Sequence, residues 1–185
     1  PTLGTIPFNL YDFQTKTLES FRDEQFNIVL KARQMGLSTL VSGYALWLMT
    51  FFTDKSILCI AINQETAKNI VTKVTHMSEY LPSWLRSECT EKNKLSMRFK
   101  NGSNIRAASS SVDASRSTSL SLLIVDECAF IHNMEEIWTA SQSTITTGGR
   151  SILLSTPNGI GNFFHKTWVG TQDGSNEFNP INLHW

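Results

Sequence analysis

The stretch LLIVDE, residues 122–127, decides how the rest of the chain is read. It closes an apolar run, residues 120–125, that is broken only by Ser121, as a strand covered on both faces of a parallel sheet would be. In open α/β sheets ligands gather beyond the carboxyl ends of the strands. Here that end carries two acids, Asp126 and Glu127. Such a pair suits nucleoside triphosphate hydrolysis: the Asp holds the shell of a magnesium ion, and the Glu orients or deprotonates the attacking water. An acidic start to the following helix, favoured by the helix dipole, would account for the same residues without chemistry.

Two other strand ends carry unusual residues. The run NIVLK, residues 27–31, leads into KARQMGLST, residues 31–39, and then into an apolar helical stretch, residues 39–52. A phosphate-binding loop is written Gly, four residues, Gly, Lys, then Ser or Thr; its amides and helix N-terminus neutralise phosphate, its lysine reaches the phosphate chain and its hydroxyl binds magnesium. Gly36 and Ser38 occupy the second-glycine and hydroxyl positions, whereas Leu37 stands in the lysine position and Lys31 in that of the first glycine. Lys31 or Arg33 could supply the cation from the start of the loop. A glycine-containing strand-to-helix turn is the alternative for the loop alone. Its placement about ninety residues before the Asp-Glu pair turns the two motifs together toward ATP or GTP hydrolysis. The third end follows SILLS, residues 151–155, where Ser155, Thr156, Pro157 and Asn158 could sense a γ-phosphate.

The remaining pattern builds a frame for these ends. An amphipathic helix is expected over residues 10–21, a buried strand over 56–62, and a helix capped by Asn63 running to about Tyr80. Asn101, Gly102 and Ser103 form the turn of an antiparallel hairpin whose strands are residues 96–100 and 104–108. A polar loop covers residues 109–119 and a helix 134–145, with Glu135 and Glu136 marking its start. Phe163, Phe164 and Trp168 are spaced for one buried helix face. Strands alternating with helices predict an α/β fold with a mostly parallel sheet flanked by helices, interrupted by a β-hairpin insertion.

Composition bounds the functions. With 185 residues, 41% of them hydrophobic, the chain fits one folded domain, and disorder is excluded. Sixteen Lys plus Arg balance sixteen Asp plus Glu, so the basic footprint of an autonomous nucleic-acid binder is missing. The apolar stretch 40–52 is too short to span a bilayer, so no membrane role is expected. Cys59, Cys89 and Cys128 match neither a zinc motif nor a disulfide framework, which favours a reducing compartment. His76, His132, His165 and His184 lack metal spacing. The opening at Pro1, without a signal peptide, and the ending at Trp185 lead us to expect a piece of a longer protein.

Taken in order, YDFQ (11–14), KARQMGLST (31–39), DASR (113–116), LLIVDECAFI (122–131) and LLSTPNGIGNFFH (153–165) resemble the ATPase domain of the large terminase subunit of tailed bacteriophages, especially the T-even type. The resemblance implies an additional-strand, RecA-like P-loop NTPase in which the STPN strand lies beside the Walker A and Walker B strands. It implies ATP and Mg2+ as ligands. Gln14 matches the adenine-recognising glutamine. Lys31, Ala32, Arg33, Gln34, Met35, Gly36, Leu37, Ser38 and Thr39 match Walker A, with Ser38 a magnesium ligand and Arg33 a cation facing the γ-phosphate. Leu37 departs from T-even relatives, which keep lysine there, and other terminases place the lysine where Lys31 stands. Asp126 and Glu127 match Walker B and the catalytic carboxylate; Ser155, Thr156, Pro157 and Asn158 match the coupling motif; Arg116 matches an arginine offered to a neighbouring subunit's ATP.

The function so implied is ATP hydrolysis that drives double-stranded viral DNA into a prohead. The motor would be a homo-oligomeric ring on the portal protein, assisted by the small terminase subunit, with most DNA contacts outside this chain. It would work in the host cell cytoplasm, transiently attached to the prohead. Residues 1–185 would be the ATPase domain, followed beyond Trp185 by a nuclease domain, and the fragment itself would not cut DNA. A superfamily-two helicase relative shares the glutamine, the DE ending and the Ser/Thr motif but needs a second RecA-like domain. A nucleotide-binding assembly module in which Leu37 has abolished turnover is the reading from another class.

Overall fold

The computed structural model describes residues 6–110, 119–145 and 148–184. The elements are α1 (Asp12–Asp23), β1 (Phe26–Lys31), α2 (Leu37–Phe51), β2 (Ser56–Ala61), α3 (Gln64–Glu79), β3 (Cys89–Lys92), β4 (Ser96–Phe99), β5 (Asn104–Ser109), β6 (Leu122–Asp126), α4 (Met134–Ile145), β7 (Arg150–Ser155), α5 (Phe163–Asp173) and β8 (Asn179–Leu183). Among the described residues they form one sheet ordered β3-β4-β5-β2-β6-β7-β1-β8. The six strands from β5 to β8 are paired in parallel, and the β3 and β4 margin is antiparallel.

Period-two alternation distributes each central strand between two cores. Val29, Ile57, Cys59, Leu122, Ile124, Ile152 and Leu154 face a core with Leu40, Val41 and Met49 of α2 and Ile70, Val71 and Val74 of α3. Ile28, Leu58, Ile60, Leu123, Val125 and Leu153 face the other, with Met134 and Ile137 of α4 and Phe164 of α5. This double burial is why the central strands read as unbroken apolar runs. Fully burying a side chain such as Ile124 stabilises the fold by about 1.5–3 kcal/mol, and its truncation would open a cavity between two layers.

Local chemistry follows the sequence closely. Asn63 caps α3 by accepting from the Thr66 amide at 2.9 Å. The hairpin pairs Met97 with Ile105 across the expected turn, with Gly102 at φ 85. Boundaries differ by a few residues: α1 begins at Asp12 and α2 already at Leu37. Two strands lay outside the sequence reading. The β3 residues are all exposed, and β8 carries Pro180, which an edge strand tolerates. Neither has the apolar continuity that marked the centre. Among the described residues no helix is long and apolar enough to cross a membrane.

Candidate nucleotide site

Parallel pairing brings three strand ends level. Leu30 of β1 lies opposite Ser155 of β7, and Leu154 opposite Asp126 of β6, so β7 separates the loop-bearing strand from the acid-bearing one. The chain leaves β1 at Lys31, passes two left-handed residues, Gln34 (φ 63) and Gly36 (φ 73), and enters α2. Gly36 is required twice over: its φ suits glycine, and a Cβ would lie 2.9 Å from the Gln14 amide nitrogen. The first turn of α2 holds no acidic residue and Gly36 contributes no side-chain cap, which leaves this helix start open to an anion.

Lys31 is only 8% exposed. Its Nζ donates to Glu127 Oε1 at 2.7 Å and lies 3.8 Å from Asp126 Oδ1. Ser38 Oγ donates to Asp126 Oδ2 at 3.1 Å, joining the loop to the acid across a sequence separation of 88 residues. Glu127 itself adopts φ 52, a left-handed conformation uncommon for a residue with a side chain. That turn directs its carboxylate toward Lys31 and Thr156, whose amide (3.3 Å) and hydroxyl (3.1 Å) both donate to Glu127 Oε2. The turn after β7 therefore touches the Glu127 carboxylate directly. Ser155 Oγ accepts from the Ala129 amide at 3.0 Å, and Asn158 Nδ2 donates to the Ala129 carbonyl at 3.1 Å, fastening the turn after β6. Pro157, between them, is exposed.

The two acids are tuned apart. Burial pushes the Asp126 carboxyl above its ordinary range; Lys31 and Ser38 oppose this, and the charge of Glu127 adds to it. Burial would raise Glu127 too, but the Lys31 hydrogen bond and charge, together with Thr156, outweigh it and hold Glu127 below its ordinary range. The half-buried Ser38 hydroxyl and the buried Asp126 carboxylate, side by side at the loop, form an oxygen donor set that fits a hard divalent cation. Cys128, next to the acids, is buried, and burial pushes its thiol up, so it is an inert packing residue.

Two cations that sequence reading kept open are now distinguished. Lys31 faces the acids, whereas Arg33 is exposed on the loop. Leu37 is 2% exposed and belongs to the core beneath α2, so its position serves packing. A cavity of about 210 Å³ is lined by Lys31, Ala32, the 34–39 segment including Gln34, Met35 and Thr39, and Lys73 of α3. Nothing in the sequence singled out Lys73, which looks like any polar helix residue. Arg116 lies outside the described residues.

Gln14 is 2% exposed rather than a surface glutamine. Its Nε2 donates to the Met35 carbonyl at 3.0 Å, and its Oε1 accepts from the Tyr11 amide at 3.1 Å. It ties α1 to the loop, and a contact with a base would have to use the remaining hydrogen or lone pair of its amide. A larger cavity of about 770 Å³ opens beside it, lined by Tyr11, Phe13, Met35, Asn182 and His184 among others.

A strand inserted between a loop-bearing strand and an acid-bearing strand, with the loop serine bonded to the acid, defines an additional-strand P-loop NTPase. Residues 28–182 match the family model described as terminase large subunit, T4likevirus-type, N-terminal, and the chain belongs to that family. Solved structures are similar throughout. The large terminase ATPase domain of Thermus phage P74-26 is 21% identical with a TM-score of 0.76, over 95% of this chain and 81% of that one. The large terminase of bacteriophage HK97 is 18% identical with a TM-score of 0.78, over 95% of this chain and 40% of that one. The large terminase of a thermophilic bacteriophage, solved in complex with ADP, is 16% identical with a TM-score of 0.71, over 92% of this chain and 44% of that one. The chain thus spans less than half the length of the HK97 protein and of the ADP-bound relative.

Proposed function

We propose that this domain hydrolyses ATP and that, within a larger terminase subunit, hydrolysis drives double-stranded DNA into a viral prohead. The observation that carries the reading is the meeting of Ser38, Lys31, Asp126 and Glu127 at one place, from two segments far apart in the chain. The family to which the chain belongs and the ADP complex of the thermophilic phage relative support it.

ATP would seat its phosphates on the loop amides and the start of α2. Magnesium, held by Ser38 and through water by Asp126, would supply charge neutralisation at the β- and γ-phosphates. Glu127, ionised beside Lys31 before nucleotide binds and held by Thr156, orients the attacking water and takes its proton at a carboxylate oxygen. Lys31 has two alternative partners, the acids or phosphate oxygen, so nucleotide binding releases Glu127 from its ion pair. Thr156 links Glu127 to the end of β7, and this link is the route by which loss of the γ-phosphate reaches the rest of the domain. Arg33 on the loop and Arg116 from a neighbouring subunit are assigned to the developing charge on the γ-phosphate.

In this reading the subunits form a ring on the portal protein in the host cytoplasm, with the small terminase subunit as a further partner and DNA cleavage left to a domain outside this chain. Glu127→Gln tests the chemistry. ATP turnover is expected to fall by about 10²–10⁴-fold while ATP binding persists, measured by phosphate release and by calorimetry. Turnover at the wild-type rate would remove Glu127 from its role.

A further inference from the structure

The phosphate cavity has a cation that no loop motif supplies. Lys73, half-buried on α3, donates from Nζ to Thr39 Oγ1 at 3.2 Å, in the first turn of α2, and lines the same cavity as Lys31 and Ser38. Most lysine ammoniums held in the structure are paired with a carboxylate: Lys31 with Glu127, Lys68 with Glu65, Lys92 with Glu79, Lys100 with Glu88, Lys166 with Glu135. Among the described residues no carboxylate lies within ion-pair distance of Lys73. A neutral hydroxyl leaves the ammonium's charge uncompensated, and two of the three N–H donors of Lys73 remain for another acceptor. The acceptor chemistry that fits is anionic, because the cavity is lined by two lysines, no acidic residue and the uncapped start of α2.

The charge count of the loop points the same way. The position that carries lysine in an ordinary phosphate loop is Leu37, committed to the core, and Lys31 is already spent on two acids. Arg33 is exposed and does not line the cavity. A triphosphate seated here would have to draw Lys31 from two acids, whereas Lys73 lines the same cavity with no carboxylate, among the described residues, to leave.

We propose that Lys73 is a phosphate-binding residue of the nucleotide site, reaching from α3 to supply the charge that Leu37 cannot. The proposal rests on the ATP reading above and adds to it which side chain holds the phosphate chain.

The test uses the full-length protein with magnesium, titrated calorimetrically with AMP-PNP and with adenosine at low and high salt. Lys73→Met keeps the aliphatic stem and removes the charge. It is expected to weaken AMP-PNP by about tenfold or more, to flatten the salt dependence and to leave adenosine unchanged, whereas Lys73→Arg stays within about threefold of wild type. A second measurement needs no variant: AMP-PNP, but not adenosine, should protect Lys73 from an amine-acetylating reagent, read by mass spectrometry. Wild-type affinity for AMP-PNP in Lys73→Met, or equal acetylation with and without AMP-PNP, overturns the role of Lys73 and leaves the ATP reading standing. Failure of the wild-type protein to bind AMP-PNP overturns both.

Discussion

Lys31–Glu127 at the centre of the sheet and Lys100–Glu88 at its antiparallel margin are both 2.7 Å ion pairs, yet the side chains are 9% and 27% exposed in the first and 71% and 65% in the second. Distance is the same and solvent is not. At the margin each charge keeps its water, so closing the pair changes little. At the centre the strands have already excluded water from Lys31 and Asp126, and removing one partner strands the others. The difference teaches that the charges at the sheet's centre hold one another in place, whereas the marginal pairs simply decorate a solvated edge.

Lys31→Met should separate the two regions most sharply. We expect ATP turnover below detection and a loss of about 3 kcal/mol in unfolding free energy by urea titration, the low end for a broken buried pair because Glu127 is partly wet. The pH dependence carries a sign. Glu127 is held below its ordinary value, so its contribution is present above about pH 4.3 and is lost as pH falls through its folded value. Asp126 is raised, so the native state takes up its proton first and gains stability relative to the unfolded chain as pH falls through its folded value. Without Lys31 both carboxyls rise, and the stability gap between wild type and Lys31→Met should narrow on going from about pH 7 to about pH 4. Parallel stability profiles would show that Lys31 does not govern the acids.

A smaller effect is expected from Gln14→Leu, which leaves the Met35 carbonyl and the Tyr11 amide without their side-chain partner. It should cost about 1–3 kcal/mol and raise KM for ATP more than it lowers kcat, since the loop and not the acids is loosened. An unchanged KM would detach Gln14 from the loop's geometry. The smallest effect belongs to the margin: Lys100→Met should leave both melting temperature and turnover within error, and a marked loss of either would mean that the edge is coupled to the site after all.

Legibility followed burial. NIVLK, SILCIAI, LLIVDE and SILLS announced themselves because strands covered on both faces carry no polar alternation, and the residues at their ends stood out against that background. β8, with Pro180 and alternating exposure, and the exposed β3 offered no such contrast. In the site, Ser38, Asp126, Glu127 and Thr156 were readable from motif order. The pairing of Lys31 with the acids, the burial of Leu37 and the double engagement of Gln14 were not, since each depends on a neighbour far along the chain. Lys73 left no trace at all, being one charge on an amphipathic helix.

The amino-acid order alone determined the repertoire: four central strands, a glycine turn ahead of a helix, and the acid, hydroxyl and cation types placed at the strand ends, because local periodicity and turn chemistry act over a few residues. Which cation meets which anion was decided only when β7 lay down between β1 and β6 and α3 packed on α2. That order brings Lys31 within 2.7 Å of a carboxylate 96 residues away and Lys73 onto the first turn of α2, 34 residues before it, and electrostatic partnership depends on distance through space and on the water excluded along the way.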